Sequence, residues 1–160
     1  METLRLRPIE VSYGQIAVFQ SSLERPFNDW TAVHVAQGFA WRRGSVSFAT
    51  LDQAGKLDIE VTQAAPVLDA TGAIRVISVP FEADSSGAIE IASIADGAAI
   101  QLSPGAYRLT FEHGLTASGN MWCRMSFEPA PEGPIEAEVV RADAGLRATL
   151  PLAMDAQPAE

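Results

Sequence analysis

The sequence predicts an all-β protein, an antiparallel β-sandwich of about eight to nine strands with one short helix. Two observations predict this fold class. Short segments alternate apolar and polar residues, as half-buried strands do, and turn residues separate these segments at regular spacing. Residues 57–62 and 107–112 each carry three apolar side chains on one face and three polar side chains on the other. This alternation is typical of an antiparallel sheet with one face in the core.

The strand candidates follow one another along the chain, and a glycine lies at most of the junctions between them. Glycine supplies the backbone conformations that tight turns need. Turns at this spacing indicate a sandwich or barrel, not a parallel α/β sheet. The strand candidates are residues 9–20, 45–50, 57–62, 73–81, 88–94, 107–112, 120–128, 135–140 and 146–150.

One stretch, residues 28–38, interrupts the strand pattern and predicts a short helix. Asn28 or Asp29 is suited to accept the free N–H groups of the first turn. Gly38 fits the left-handed position that follows the last turn. Trp30 and Val33 would share a face of this helix.

The length of 160 residues is that of one domain. We assign residues 1–150 to a single β-sandwich domain. Residues 151–160 contain two prolines and no periodic pattern, which predicts a flexible C-terminal tail. The proline-rich stretch at residues 129–134 predicts a loop between strands.

The acidic residues concentrate in the second half of the chain. The chain has 20 acidic and 11 basic side chains, a net charge of −9. Residues 1–80 contribute −1 to this charge, and residues 81–160 contribute −8. An excess of acids argues against direct binding to nucleic acid or to an anionic membrane. A basic protein partner remains open.

The N-terminal residues have no apolar run of signal-peptide length, and no run of 18 apolar residues occurs anywhere. The one cysteine excludes an internal disulfide framework. These observations predict a cytoplasmic protein without cofactors, and they leave open membrane association through a partner.

Catalytic motifs are absent from the sequence. It has no phosphate-binding glycine loop, no Gly-x-Ser-x-Gly elbow and no His-Glu-x-x-His pattern. Cys123 lies in an apolar strand, which favours a buried hydrophobe over a nucleophile. A cysteine–histidine pair with His34 or His113 remains open, since such a pair depends on spatial proximity. Asp58 and Glu60 share a strand face, most simply a solvated one, and we predict no metal site.

The candidate partner-binding residues are acidic and aromatic. Glu82, Asp84 and Glu90 flank one predicted turn and form the densest acidic group. Asp29 and Trp30 begin the predicted helix. Tryptophan is a common anchor of protein interfaces, so Trp41 is a further candidate.

Five pieces of the sequence, in order, resemble the competence protein J family, also described as the DNA-entry nuclease inhibitor. The first is Ser-Tyr-Gly-Gln-Ile-Ala-Val-Phe-Gln at residues 12–20, which is similar to the opening strand of that family. The resemblance covers roughly residues 10–112 and extends toward residue 127. The other pieces are residues 29–31 with 38–40, residues 44–48, residues 79–94 and residues 102–110.

The resemblance implies a non-enzymatic protein that binds and inhibits a nuclease, either in competence or as an immunity protein. Its acidic surface would then face the basic cleft of the nuclease, a partner that we expect to be co-encoded. Two alternatives remain open. One is a β-sandwich module that binds a small ligand, a sugar or a lipid. The other is an enzyme that uses Cys123 or paired carboxylates.

Overall fold

The computed structural model describes residues 3–67, 72–129 and 134–160 and arranges their strands in two sheets that face each other. This confirms the all-β sandwich fold. Side chains from both sheets meet in the core, where the rings of Phe48 and Phe111 stack with their centroids 4.4 Å apart. Both rings are fully buried. The strands alternate apolar and polar residues because every second residue points into this core.

The large sheet has the strand order β1-β6-β11-β10-β7-β12, and β2 also pairs with β6. Among the described residues, β6 and β11 run parallel and the other pairs in this sheet run antiparallel. The strands are β1 (Leu4–Arg5), β2 (Ile9–Val11), β6 (Gly55–Thr62), β7 (Arg75–Ala83), β10 (Gly105–Leu115), β11 (Met121–Pro129) and β12 (Glu138–Arg141).

The small sheet has the strand order β4-β5-β3-β8-β9 and is antiparallel. Its central strand, β3, is buried along most of its length. The strands are β3 (Gln15–Gln20), β4 (Phe39–Arg42), β5 (Ser45–Ala49), β8 (Ala88–Ala92) and β9 (Gly97–Gln101).

The described residues form twelve strands, more than the eight to nine predicted. The predicted strand at residues 9–20 is two strands, because Tyr13 and Gly14 form a turn between β2 and β3. The strands β1, β4 and β9 were not predicted, and residues 146–150 form no strand. In that last segment the Arg147 amide donates to the Ala36 carbonyl of the helix instead of to a sheet. Of the predicted loop at residues 129–134, residues 130–133 lie outside the described residues.

The helix α1 (Ala32–Gln37) begins later than predicted, at the N-cap Thr31. The Thr31 hydroxyl accepts from the His34 amide, and the His34 Nδ1 accepts from the Thr31 amide. Asn28 is not the cap because its side chain is buried elsewhere, donating to the carbonyls of Ala40 and Ser45. The predicted end is correct: Gly38 has φ 88° and donates its amide to the His34 carbonyl.

The connection from β3 to α1 covers part of the outer face of the small sheet. Ala17, Phe19 and Ala92 form a second apolar cluster there, and Leu23 and Phe27 pack against it. The rings of Phe19 and Phe27 meet edge to face at 5.7 Å. This connection therefore fixes the position of the residues that precede the helix.

The C-terminal segment, residues 151–160, runs along the connection, the helix and β4. The Ala156 amide donates to the Trp41 carbonyl, and the Ala153 amide donates to Gln37 Oε1. The Asp29 amide donates to the Gln157 carbonyl, and Ala156 is buried. These contacts argue against the frayed tail that the composition predicts.

Hydrogen exchange distinguishes the two expectations for this segment. Because the amides of Ala153 and Ala156 are hydrogen-bonded, we expect them to exchange at least about tenfold more slowly than in an unstructured peptide, an opening free energy of about 1.4 kcal/mol. The amide of the terminal Glu160 is the internal control. Free-peptide rates at Ala153 and Ala156 would restore the prediction of a flexible tail.

Candidate partner-binding surface

The structure brings Cys123 and His113 together as directly opposed residues of β11 and β10. The sequence left such a pair open. The thiol is 1% exposed, and burial raises the pKa of Cys123. A reactive cysteine needs the opposite shift, toward the thiolate. The thiol is therefore held in its unreactive form.

His113 uses both ring nitrogens to hold the backbone. Nδ1 lies 2.7 Å from the Trp122 carbonyl, and Nε2 lies 3.0 Å from the Leu51 amide. Since a carbonyl only accepts and an amide only donates, the proton is on Nδ1 and Nε2 accepts. Burial lowers the pKa of His113 from 6.5 to about 4. A neutral histidine with both nitrogens engaged has no free position for a proton from Cys123.

His34 is also part of the structure. Its ring is buried, its Nδ1 accepts from the Thr31 amide, and its Nε2 lies 3.0 Å from Asp155 Oδ1. Because Nδ1 accepts, the proton is on Nε2 and is donated to Asp155. The histidine joins the start of the helix to the C-terminal segment.

The three predicted acidic residues Glu82, Asp84 and Glu90 lie around the end of β3. The Gln20 amide group donates to the Glu82 carbonyl, and the Ser22 hydroxyl donates to Asp84 Oδ2. Glu90, in β8, is paired with Phe19 near the end of β3. The three acidic residues that flank one turn in the sequence thus also lie in one region of the structure.

These three carboxylates differ in how free they are. Glu82 is 48% exposed and makes an ion pair of 3.2 Å with the exposed Arg43. Asp84 accepts from the amide and hydroxyl of Ser86, and these hydrogen bonds, together with that from Ser22, lower the pKa of Asp84. Asp84 therefore holds the β7–β8 turn, whereas Glu82 and the half-buried Glu90 project from the surface.

Trp30 lies near the opposite end of β3, and Asp29 is the residue before it. The Trp30 Nε1 donates to Gln15 Oε1 at 3.1 Å, and Gln15 is the first residue of β3. At about 3.3 Å per residue, the two ends of this strand are about 16 Å apart. Trp30 therefore lies apart from the acidic group, and the five predicted site residues do not form one compact surface. Their role in binding a partner stays a prediction.

The tryptophan next to the acidic group is Trp41. Its Nε1 donates to the Pro80 carbonyl at 2.7 Å. With Arg43, Glu82 and Tyr107 it lines a cleft of about 340 Å³. The sequence named Trp41 as a candidate anchor but did not connect it with Glu82, since 41 residues separate them.

A second aromatic cleft, on the outer face of the large sheet, escaped the sequence analysis. Trp122 lies over Gly114, where an added Cβ would come within 3.0 Å of the indole ring. Asp58 and Arg124 also line this cleft of about 360 Å³. The missed signal is the alternation in β11: Trp122 is out of phase with the buried Met121 and Cys123 and so faces outward.

Within the described residues, no group of three or more metal-ligating side chains comes together, and no helix is long and apolar enough to cross a membrane. The fold and its surfaces define a β-sandwich protein with acidic and aromatic surface groups. The chain belongs to the Competence protein J (ComJ) family, whose sequence profile matches residues 8–128. The resemblance seen in the sequence is thereby confirmed. No curated protein matches the chain.

Two solved structures share the fold. ComJ from Bacillus subtilis, described as the inhibitor of the DNA-degrading activity of NucA, superposes with a TM-score of 0.68 at 22% identity, covering 81% of this chain and 100% of that one. A protein described as crocagin biosynthetic gene J superposes with a TM-score of 0.52 at 14% identity, covering 81% of this chain and 98% of that one.

Proposed function

We propose that this protein binds a nuclease and blocks its DNA-degrading activity without being an enzyme itself. The observation that carries the proposal is membership of the ComJ family over residues 8–128. The B. subtilis protein with the same fold is described as an inhibitor of a DNA-degrading activity. The unreactive state of Cys123 and His113 supports a non-enzymatic role.

Electrostatics provides a physical route to inhibition. A nuclease cleft is positively charged because it holds phosphates. A protein with a net charge of −9 is attracted to such a cleft and can occupy it in place of DNA. Charge of this kind mainly raises the association rate and the selectivity, while a few buried anchors supply most of the affinity.

Within this proposal, Glu82 and Glu90 are the carboxylates of the acidic group that are available to a partner. Asp84 contributes through the turn that it holds. The predicted location remains the cytoplasm, where an unpaired cysteine stays reduced. The two predicted biological settings remain competence and toxin immunity.

The first test is inhibition of a nuclease encoded in the same genome. We expect DNA cleavage to stop at one equivalent of this protein, because the protein occupies the nuclease cleft. We expect inhibition to weaken between about 0.1 M and about 1 M salt, since the screening length falls from about 10 Å to about 3 Å. Cleavage of fluorescent DNA measures both effects. Full nuclease activity with excess protein at low salt would contradict the proposal.

Charge-neutral variants locate the electrostatic contribution in the same assay. The double variant Glu82→Gln/Glu90→Gln should associate about tenfold more slowly, because two negative charges no longer attract the partner. Asp58→Asn is the matched control, since Asp58 is an exposed carboxylate on the other sheet. Equal association rates for the double variant and the control would exclude these two carboxylates from the surface.

A second candidate function is binding of a small ligand, a sugar or a lipid. The aromatic clefts at Trp41 and Trp122, of about 340 and 360 Å³, favour it because they reach the size of small-molecule sites. A shift of the melting temperature with a panel of sugars and lipids would support this candidate. Unchanged melting with every ligand would exclude it for that panel.

A further inference from the structure

Tyr13 is an exposed aromatic residue in a left-handed backbone conformation. It has φ 57°, and the following Gly14 has φ 61°. Together they form the two-residue turn between the bridged Ser12 and Gln15. Positive φ at both central positions is the geometry of a type I′ hairpin turn, which favours Asn, Asp or Gly. Among residues other than glycine that the structure describes, Tyr13 is the one with positive φ.

The tyrosine ring contributes little stability to the fold that would offset this backbone strain. Tyr13 is 79% exposed, so it buries almost no apolar surface. A residue with a smaller left-handed penalty, such as asparagine, would serve the turn better. Strained residues of this kind cluster at binding sites. The observed strain therefore indicates that the ring serves a contact outside the chain.

Hydrogen bonds hold the backbone of the turn that carries Tyr13. The Gly14 amide donates to the Gln53 carbonyl at 2.8 Å, and the Thr50 amide donates to the Gly14 carbonyl at 2.9 Å. On the other side, the Ser12 amide donates to the Ser93 hydroxyl at 2.9 Å. Three hydrogen bonds to two neighbouring loops make the turn pre-organised, which lowers the entropy cost of binding through it.

The neighbours of Tyr13 form a surface that is aromatic and acidic. Trp30 is half-buried, and its indole is held by Gln15, two residues from Tyr13. Asp29 precedes Trp30, and Asp52 precedes the Gln53 that holds the turn. Both carboxylates are exposed, and within the described part of the chain neither makes an ion pair. We name Tyr13, Asp29, Trp30 and Asp52 the turn surface.

We propose that the turn surface is the main contact for the basic DNA-binding region of the nuclease, with Tyr13 as an anchor. The inference rests on the proposed function and names its contact surface. Charge complementarity selects this occupant, because exposed carboxylates without ion pairs, together with the aromatic side chains of Tyr13 and Trp30, suit a surface rich in arginine and lysine. The acidic group around Glu82 then contributes mainly to the association rate, since Glu82 is already paired with Arg43.

The decisive variant is Tyr13→Asn, because it separates stability from binding. Asparagine tolerates the left-handed turn better than tyrosine, so we expect an equal or higher melting temperature. We expect binding to the nuclease to weaken at least tenfold, because the anchor is lost. Tyr13→Phe keeps the ring and should retain most of the affinity. Val67→Asn, at another exposed hydrophobic residue, is the matched control and should bind like the wild type.

The outcomes separate this inference from the proposed function. If the wild type does not bind the nuclease, the proposed function fails. If the wild type binds and Tyr13→Asn binds equally well, the turn surface is wrong while the proposed function stands. A Tyr13→Asn protein that loses both binding and melting temperature would show that the ring supports the fold, which also overturns the inference.

Discussion

Replacing Asp143 with alanine is expected to lower the free energy of unfolding by about 3–5 kcal/mol, the largest effect of any single substitution considered. Asp143 binds Arg75 through two hydrogen bonds, of 2.7 Å from Nε and 3.0 Å from Nη2. The side chain of Arg75 is 5% exposed and that of Asp143 is 16% exposed. Removal of one partner from a buried pair leaves a buried charge without compensation, which accounts for the size of the loss.

The pair joins three parts of the chain. Arg75 begins β7 of the large sheet, and its Nη1 donates to the carbonyl of Ala49 at the end of β5 in the small sheet. Asp143 belongs to the segment that follows the family match. The guanidinium lowers the pKa of Asp143, so the carboxylate is charged at neutral pH. This ion pair therefore adds a buried side-chain link between the segment beyond the family match and both sheets.

Urea denaturation of matched variants tests this prediction. Arg43→Ala is the control, since it breaks the exposed pair with Glu82 and should cost less than about 1 kcal/mol. A double variant with apolar residues, Arg75→Met/Asp143→Leu, should recover part of the loss, because no buried charge remains. A cost below about 1 kcal/mol for Asp143→Ala would mean that the pair does not fasten the segment.

Acidification from about pH 6.5 toward about pH 4 is expected to destabilise the protein through His113. The pKa of this histidine is about 4 in the folded protein and about 6.5 when unfolded. The folded state therefore favours the neutral ring. The contribution of His113 to the free energy of unfolding is complete above about pH 6.5 and is lost as the pH falls toward about 4. A difference of this size corresponds to about 3 kcal/mol, at about 1.4 kcal/mol for each pKa unit.

The physical reason is first the burial of the ring, which disfavours its charged form and lowers the pKa of His113. A proton on Nε2 would remove the acceptor of the Leu51 amide and place a charge in the core beside Arg75. Asp84, Asp96 and Asp143 have lowered pKa values, so their contributions are lost only at more acidic pH. These three carboxylates therefore do not account for a loss of stability between about pH 6.5 and about 4.

The measurement is the free energy of unfolding in urea at several pH values across this window. The variant His113→Gln has a neutral side chain at every pH and should lose most of the slope, although it is less stable overall. His34→Gln is the matched control and should keep the His113 part of the slope. An unchanged slope in His113→Gln would show that other groups cause the acid sensitivity.

Local pattern was sufficient for the fold class. The alternation at residues 57–62 and 107–112 lies within β6 and β10. In β6 it marks one face in the core, whereas β10 is buried on both faces over residues 109–114, where Thr110 and Glu112 are buried polar residues. The family resemblance, carried by short pieces in order, agrees with the family match over residues 8–128. β9 was missed because its glycine and alanines have too little side-chain contrast to show a period.

The candidate site was only partly predictable. The acidic group around one turn could be read from neighbouring residues. The distance between this acidic group and Asp29 with Trp30 could not be predicted, because it depends on how strand β3 runs through the sheet. The opposition of His113 and Cys123 and the exposure of Tyr13 also depend on strand pairing and on turn geometry.

The sequence by itself determined the fold class, the family, the acidic second half and the end of the helix at Gly38, because each depends on composition or on near neighbours. Only the tertiary structure decided which polar groups are free. Asn28 cannot cap the helix because Ala40 and Ser45 engage its side chain. Contacts of this kind join residues that are distant along the chain, and they form only when both sheets have closed around the core.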